Sequence, residues 1–224
     1  MPIFGEPMAY EAMINTLSSA KDVDLKKFGQ KGKKTLDDLY KEIQQRDVVL
    51  VTDAKGRALR VALSVKVIIH GGPRADVTSH RLHETMRELR DTTKIRKKKP
   101  WGLSETRRRN EEDPAETVIR GIYEEFGIPK EHVEASRLQR LNKMTLNTFL
   151  STDEFRSYFS KVRQGLGSPD EYYEEHRSSV YPGVWSGTLA IWYYWRMPSE
   201  LYQKSGYAAK EDGVTVYSRW SRLR

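Results

Sequence analysis

The spacing of apolar residues changes along the chain and separates a helical beginning from a mixed remainder. In the first 46 residues, apolar side chains recur three and four positions apart, which predicts helices. The better of two such stripes consists of Leu36, Leu39, Tyr40 and Ile43. Thr35 is a good N-cap residue in front of it, and Asp38 follows three positions later, as in a capping box. We predict an N-terminal helical extension over residues 1–46, packed on a main domain over residues 47–224.

After these helices, short apolar runs predict β-strands. Val48–Val51 and Ala58–Ile69 are joined by the turn Asp53–Gly56, a spacing typical of a hairpin. Thr188–Arg196 and Val214–Trp220 predict two late strands, which carry most of the tryptophans. Tryptophans in this setting are usually core residues, so we expect them to be buried.

The middle of the chain is less regular. Residues 80–91 fit either a helix or a strand, because their apolar positions satisfy both periods. A helix is predicted for Thr152–Val162, and Pro169–Ser179 is predicted to be a polar loop. Strands on both sides of one strong helix favour a layered α/β domain.

The strongest helix prediction covers residues 113–126. Asp113 is a good N-cap residue, Pro114 suits the first helical position, and Gly127 stands where a left-handed C-cap is expected. The apolar stripe of this helix consists of Ala115, Val118, Ile119, Ile122, Tyr123 and Phe126. Its other side carries Thr117, Gly121, Glu124 and Glu125.

The two adjacent glutamates near the end of this helix indicate a bound cation. They oppose the helix dipole, so they cost stability unless a positive charge neutralises them. Mg²⁺ prefers oxygen ligands and commonly bridges protein carboxylates and substrate phosphates. A lone Glu-Glu pair is more often a solvated acidic turn whose partner is a nearby Arg or Lys, so the surrounding sequence has to decide between the two interpretations.

Composition narrows the classes of protein. The chain has 224 residues, of which 38% are hydrophobic and 31% charged, as in a globular protein rather than a disordered one. It contains no cysteine, which excludes disulfides and thiolate metal sites. We see no apolar run long enough for a membrane span and no N-terminal signal pattern. We therefore expect a soluble, cytoplasmic protein without a membrane partner.

The net charge of +8 fits either an anionic partner or simply a solvated basic surface, because a basic surface attracts nucleotides and nucleic acids. Much of this charge precedes the strong helix, at Lys94, Arg96, Lys97, Lys98, Lys99, Arg107, Arg108 and Arg109. The five histidines do not form a spacing that indicates a metal site. No pattern indicates an oligomeric state.

Residues 101–128 resemble the Nudix box. Glu112 is followed by seven residues and then by Arg120-Gly121-Ile122-Tyr123-Glu124-Glu125-Phe126-Gly127-Ile128. Pro100-Trp101-Gly102-Leu103 is similar to the Trp-Gly-Leu-Pro segment that many members of this family have before their loop. The resemblance implies a Nudix-type α/β/α sandwich with a mixed central sheet, and it favours a strand for residues 80–91.

The chain departs from the family pattern at two places. Gly121 stands where the family usually has a metal-binding glutamate, and Ser104-Glu105-Thr106 replaces the usual Pro-Gly-Gly of the loop. One branch of the family resembles this chain in both changes. We therefore hypothesise that Glu105 supplies the oxygen ligand that Gly121 cannot supply.

The resemblance implies a metal-dependent hydrolase that cleaves a diphosphate linkage in a nucleoside diphosphate derivative or a similar polyanionic substrate. The implied cofactor is Mg²⁺, or Mn²⁺ in its place, on Glu105, Glu124 and Glu125. Arg120 would brace the loop, with Glu112 as its partner. Phosphate-binding candidates are Arg107, Arg108 and Arg109, and candidates for a further carboxylate are Asp170, Glu171, Glu174 and Glu175. The alternative is a catalytically impaired Nudix-fold module that binds a nucleotide or RNA.

Overall fold

The protein has a mixed α/β fold with one large sheet. The computed structural model describes residues 8–74, 80–89, 92–95, 102–108, 113–134, 137–149, 153, 162–164, 171–211 and 214–222. Within these ranges lie four α-helices and eleven strands of one sheet. The predicted mixed α/β class is confirmed, and the finer α/β/α sandwich stays a prediction.

The helices and strands follow one another in mixed order along the chain. The helices are α1 (Tyr10–Ser19), α2 (Leu36–Gln44), α3 (Pro114–Phe126) and α4 (Lys143–Phe149). The strands are β1 (Val48–Thr52), β2 (Ala58–Gly71), β3 (His80–Leu89), β4 (Thr92–Ile95), β5 (Leu103–Thr106), β6 (Leu138–Leu141), β7 (Val162–Gln164), β8 (Glu171–Arg177), β9 (Trp185–Arg196), β10 (Tyr207–Glu211) and β11 (Val214–Arg222).

The sheet has the strand order β10-β11-β3-β2-β9-β8-β7. β1 and β5 also pair with β2, β4 pairs with β3, and β6 pairs with β9. The predicted hairpin is confirmed, because β1 and β2 are antiparallel with Val48 opposite Ala62 and Thr52 opposite Ala58. The strand predicted for residues 80–91 is also confirmed, as β3.

The chain divides into two compact units. The first comprises residues 1–64, 106–110 and 159–190, and the second comprises residues 65–105, 111–158 and 191–224. Both β2 and β9 contain a boundary between the units. The predicted domain division after residue 46 stays a prediction.

The first unit is built around the predicted N-terminal helices. Its core joins Met13 and Leu17 of α1 with Leu39 and Ile43 of α2. The strand residues in the same core are Val48, Leu50, Ala58 and Ala62. The predicted capping box is present, because the Thr35 hydroxyl accepts the Asp38 N–H at 3.0 Å and the Asp38 carboxylate accepts the Thr35 N–H at 2.8 Å.

Glu42 on α2 ties three segments of the first unit together. Its carboxylate accepts hydrogen bonds from Lys34 Nζ at 2.7 Å, Arg60 Nε at 2.6 Å and the Tyr181 hydroxyl at 2.9 Å. Burial acts to raise the pKa of the Glu42 carboxyl. The hydrogen bonds from Lys34, Arg60 and Tyr181 and the charge of Arg60 outweigh burial, so its pKa lies below the usual value.

The second unit packs α3 against the sheet. Val118, Ile122 and Phe126 of α3 share a core with alternate residues of two strands. These strand residues are Val65, Val67 and Ile69 of β2 and Ile191, Tyr193 and Trp195 of β9. The expectation of buried tryptophans is confirmed for Trp192 and Trp195, which are fully buried. In the part of the chain that the structure describes, no helix is long and apolar enough to cross a membrane.

Two predictions from the periodicity are wrong. The polar loop expected at Pro169–Ser179 contains strand β8, whose Tyr172 is buried, because pairing with β9 stabilises a segment with a weak pattern of its own. Tyr123, expected in the apolar stripe of α3, is 51% exposed. The helix predicted for Thr152–Val162 lies largely outside the described residues, and its last residue belongs to β7.

We predict that Glu42→Gln lowers the free energy of unfolding by about 2 kcal/mol at pH 7, because it weakens hydrogen bonds to a buried charge. Folding lowers the pKa of the Glu42 carboxyl, so the ionised carboxylate stabilises the protein fully at pH values above its pKa in the unfolded chain. This stabilisation is lost as the pH falls through its pKa in the folded protein. The difference between wild type and variant should therefore shrink in urea unfolding curves recorded at pH 3.

Asp24→Asn is the matched control for this variant. Asp24 forms an exposed ion pair with Lys27 at 3.6 Å, and exposed pairs contribute little to stability. Equal losses of unfolding free energy in the two variants would show that the partly buried position of the Glu42 carboxylate has no special role.

Candidate functional site

Helix α3 begins and ends where the sequence predicts. The Asp113 carboxylate accepts the Ala115 N–H at 2.9 Å, and Pro114 is the first helical residue. Gly127 adopts φ = 67°, and its N–H donates to the Tyr123 carbonyl at 2.8 Å. Only glycine adopts this left-handed conformation routinely, so Gly127 explains why the helix ends here.

The polar side of α3 is buried, as its apolar side is. Thr117, Arg120, Gly121 and Glu125 are all buried, although they do not belong to the apolar stripe. Burial of a charged side chain is costly unless it is paired. The polar side of α3 is therefore packed against the rest of the second unit and is not solvated.

Strand β5 supplies the cover for this side of the helix. It lies along β2, with the Gly102 N–H donating to the Val67 carbonyl at 2.8 Å just before the strand. Successive residues of a strand point to opposite faces, so Leu103 and Glu105 share a face. Leu103 joins the core that contains Val118 and Ile122. Glu105 consequently extends over the same helix.

Gly121 permits this close approach of β5 to α3. A Cβ atom at this position would lie 2.4 Å from Cγ of Glu105 and 2.9 Å from Cδ2 of Leu103. Contacts this short do not occur in stable proteins, so any larger residue would displace Glu105. Inside a helix, glycine lowers stability by about 1 kcal/mol relative to alanine. The space that the Glu105 side chain needs explains why residue 121 is nevertheless glycine.

Arg120 joins the glutamate of the strand to a glutamate of the helix. Its Nη1 atom donates to Oε2 of Glu124 at 2.7 Å and to Oε2 of Glu105 at 3.2 Å. The side chains of Arg120, Glu105 and Glu124 are only 9%, 18% and 16% exposed. Solvent screens such interactions less than it screens surface ion pairs. We call Glu105, Arg120 and Glu124 the carboxylate–arginine cluster.

Two carboxylates of this site, those of Glu105 and Glu124, lie close enough to share one cation. Glu105 and Glu124 bring carboxylate oxygens to one point on Arg120, and Glu125 is a neighbouring buried carboxylate on the same helix. Oxygen ligands of this kind suit Mg²⁺ and Mn²⁺. Among the described residues, no group of three or more His, Asp or Glu side chains meets at metal-binding distances.

The remaining residues predicted for this site are placed as follows. Arg107 is half-buried and Arg108 is exposed, and both belong to the first unit. Glu112 and Arg109 lie outside the described residues, as does Trp101. Among the described residues, Arg120 pairs with Glu105 and Glu124. The predicted bracing by Glu112 stays a prediction, because Glu112 is not among them.

The candidates for a late carboxylate lie on β8 rather than in a loop. Glu175 accepts hydrogen bonds from Arg57 Nη2 at 3.2 Å and from the Tyr173 hydroxyl at 3.2 Å within the first unit. Glu171 and Glu174 are half-buried on the same strand, and Asp170 lies outside the described residues. The contacts of Glu175 give it a structural role in the first unit.

The sequence analysis did not identify a buried basic group in the second unit. Lys66, His70, Arg81 and His83 are all buried, on β2 and β3. Nε of Arg81 donates to Nε2 of His70 at 3.2 Å, so this ring nitrogen is an acceptor and the ring is neutral. Burial, with the positive charges of Arg81 and His83, lowers the pKa of His70 to about 4. The alternation of β2 could have indicated these positions, because Lys66 and His70 fall between core residues.

Comparison with known proteins gives no support to the Nudix resemblance, which stays a prediction. No protein-family model matches this sequence, and no curated protein matches it.

We predict that Gly121→Ala lowers the free energy of unfolding by about 2 kcal/mol through overpacking, although alanine favours helix formation. In a Glu105→Ala background, the same substitution should cost about 1 kcal/mol less, because the nearest clashing atom is gone. Urea unfolding of the four proteins of this double-mutant cycle measures the coupling.

Gly127→Ala is the matched control for this cycle. It strains a positive φ in open space, so its cost should be independent of residue 105. If the effects of Gly121→Ala and Glu105→Ala are simply additive, the close approach does not determine the identity of residue 121.

We predict that His70 makes the protein less stable in acid. The pKa of His70 is lowered from 6.5 to about 4, so its stabilisation is complete above pH 6.5 and is lost as the pH falls through 4. The full effect amounts to about 3 kcal/mol. His70→Gln, which keeps an acceptor for Arg81, should flatten the dependence of unfolding free energy on pH between these limits. His132→Gln, at an exposed position, controls for the substitution itself.

Proposed function

We propose that the protein hydrolyses a diphosphate linkage in a nucleoside diphosphate derivative or a similar polyanionic substrate, within a Nudix-type α/β/α sandwich. The observation that supports this most directly is the position of Glu105. Its side chain crosses Gly121 and reaches the same guanidinium as Glu124. This contact supports the hypothesis that Glu105 takes the role of the glutamate that the family usually has at the position of Gly121.

Glu105, Glu124 and Glu125 would hold Mg²⁺ or Mn²⁺ in this proposal. When bound, the ion would neutralise charge on the substrate phosphates and favour attack by water at phosphorus. The burial of Glu125 supports a role at a reacting centre, since buried carboxylates are costly and concentrate at functional sites. Arg120 orients the carboxylates, because it donates to two of them from one nitrogen atom.

The chemical step is a substitution at phosphorus. The water oxygen forms a bond to one phosphorus, and the bridging P–O bond breaks with its electron pair remaining on the leaving phosphate. The proton of the attacking water passes to a carboxylate, for which Glu125 is our candidate. Arg107, Arg108 and Arg109 follow Glu105 closely in the chain and are candidates for binding the substrate phosphates.

We predict that Glu125→Gln lowers kcat about 100-fold or more on any diphosphate that the wild type hydrolyses with Mg²⁺ or Mn²⁺. The measurement is phosphate or nucleotide release from a panel of nucleoside diphosphate derivatives, dinucleotides and sugar nucleotides. Glu105→Ala should lose activity as well, because it removes the strand carboxylate. Circular dichroism of each variant verifies that it is folded.

Glu116→Gln is the matched control on the same helix. Glu116 is an exposed residue of the first turn of α3, far along the helix from Glu124 and Glu125. Unchanged activity in Glu125→Gln would refute the assignment. Tight nucleotide or RNA binding without turnover or metal would support the alternative, a binding module with an impaired site.

A further inference from the structure

Arg120 contacts the same carboxylate groups that a metal ion would bind under the proposed function. One nitrogen atom, Nη1 of Arg120, lies 2.7 Å from Glu124 and 3.2 Å from Glu105. These are two of the three carboxylates assigned to the metal under the proposed function. A cation therefore already bridges the oxygens that a divalent ion would need.

The electrostatics of α3 require a positive charge here. The C-terminal end of a helix carries partial negative charge, and Glu124 and Glu125 add to it. The last turn of α3, which the structure describes completely, contains no basic residue. Arg120, one turn earlier and itself buried, brings a positive charge to Glu124 near the helix end.

We infer that Arg120 is an internal counter-ion that stabilises the carboxylates in the metal-free protein and competes with the divalent cation for Glu105 and Glu124. This inference rests on the proposed metal site. A divalent ion offers two positive charges where Arg120 offers one, so it takes over the carboxylates when it binds. The measured affinity for the metal then reflects the binding of the metal to the carboxylates less the binding of Arg120 that it displaces. Without Arg120, the same carboxylates would bind the metal more tightly.

A competing role and a purely structural role of Arg120 predict opposite changes in metal affinity when Arg120 is lost. If Arg120 only braces the loop, its loss disorders the ligands and weakens metal binding. If Arg120 competes with the metal, its loss removes the competitor and strengthens metal binding. The same loss destabilises the metal-free protein, because it removes a positive charge from between two partly buried carboxylates.

The test compares wild type with Arg120→Gln by Mn²⁺ titration calorimetry and by thermal unfolding in EDTA and in Mn²⁺. We expect Arg120→Gln to have a lower Tm in EDTA, a larger rise in Tm with Mn²⁺, and a Kd for Mn²⁺ lower by about tenfold or more. Arg120→Lys, which keeps the charge, should restore a Kd close to that of wild type. Adding Glu124→Gln to Arg120→Gln should abolish the gain in affinity.

Arg137→Gln serves as the control, because Arg137 forms an exposed pair with Glu134 at 3.1 Å. Equal or weaker Mn²⁺ binding in Arg120→Gln than in wild type overturns this inference alone. Absence of Mn²⁺ binding to both proteins overturns it together with the proposed metal site.

If Arg120→Gln does not fold, the wild type still provides a test. The side-chain NMR signal of Arg120, assigned by its loss in Arg120→Lys, should shift when Mg²⁺ saturates the site. An unchanged signal at saturating Mg²⁺ overturns the inference.

Discussion

The close approach of β5 to α3 at Gly121 is the constraint on which the candidate site depends. Because residue 121 has no side chain, Glu105 can cross the helix and reach Arg120. The same approach seats Leu103 in the core of the second unit. The absence of a side chain at residue 121 thus determines both how β5 packs and where the Glu105 carboxylate lies.

This coupling changes the meaning of the departures from the Nudix pattern. Considered singly, the loss of a glutamate at residue 121 indicates a damaged site, and a glutamate at residue 105 is an ordinary loop substitution. Together they form one steric arrangement, because the side chain of Glu105 needs the space that Gly121 leaves. The carboxylate that shares Arg120 with Glu124 comes from the sheet.

Arg120 gives this arrangement a stable state without any ligand. Two carboxylates brought together in a partly buried place repel one another, and the negative end of the helix increases the cost. The guanidinium offsets both effects from a position one turn before the end of α3. The metal-free protein thus has a cation between its two carboxylates, whatever else binds there.

Local sequence patterns were sufficient to predict α2, α3, the β1–β2 hairpin and the burial of Trp192 and Trp195. Caps, turns and periodicity act within a few residues, so they can be recognised without a structure. Strand β8 could not be predicted in this way, because its stability comes from pairing with distant strands. The proximity of Glu105 to Gly121 and the pairing of Arg120 with Glu105 are likewise tertiary. They depend on how β5 lies along β2 and against α3, and contacts between residues that far apart in the chain form only when the core packs.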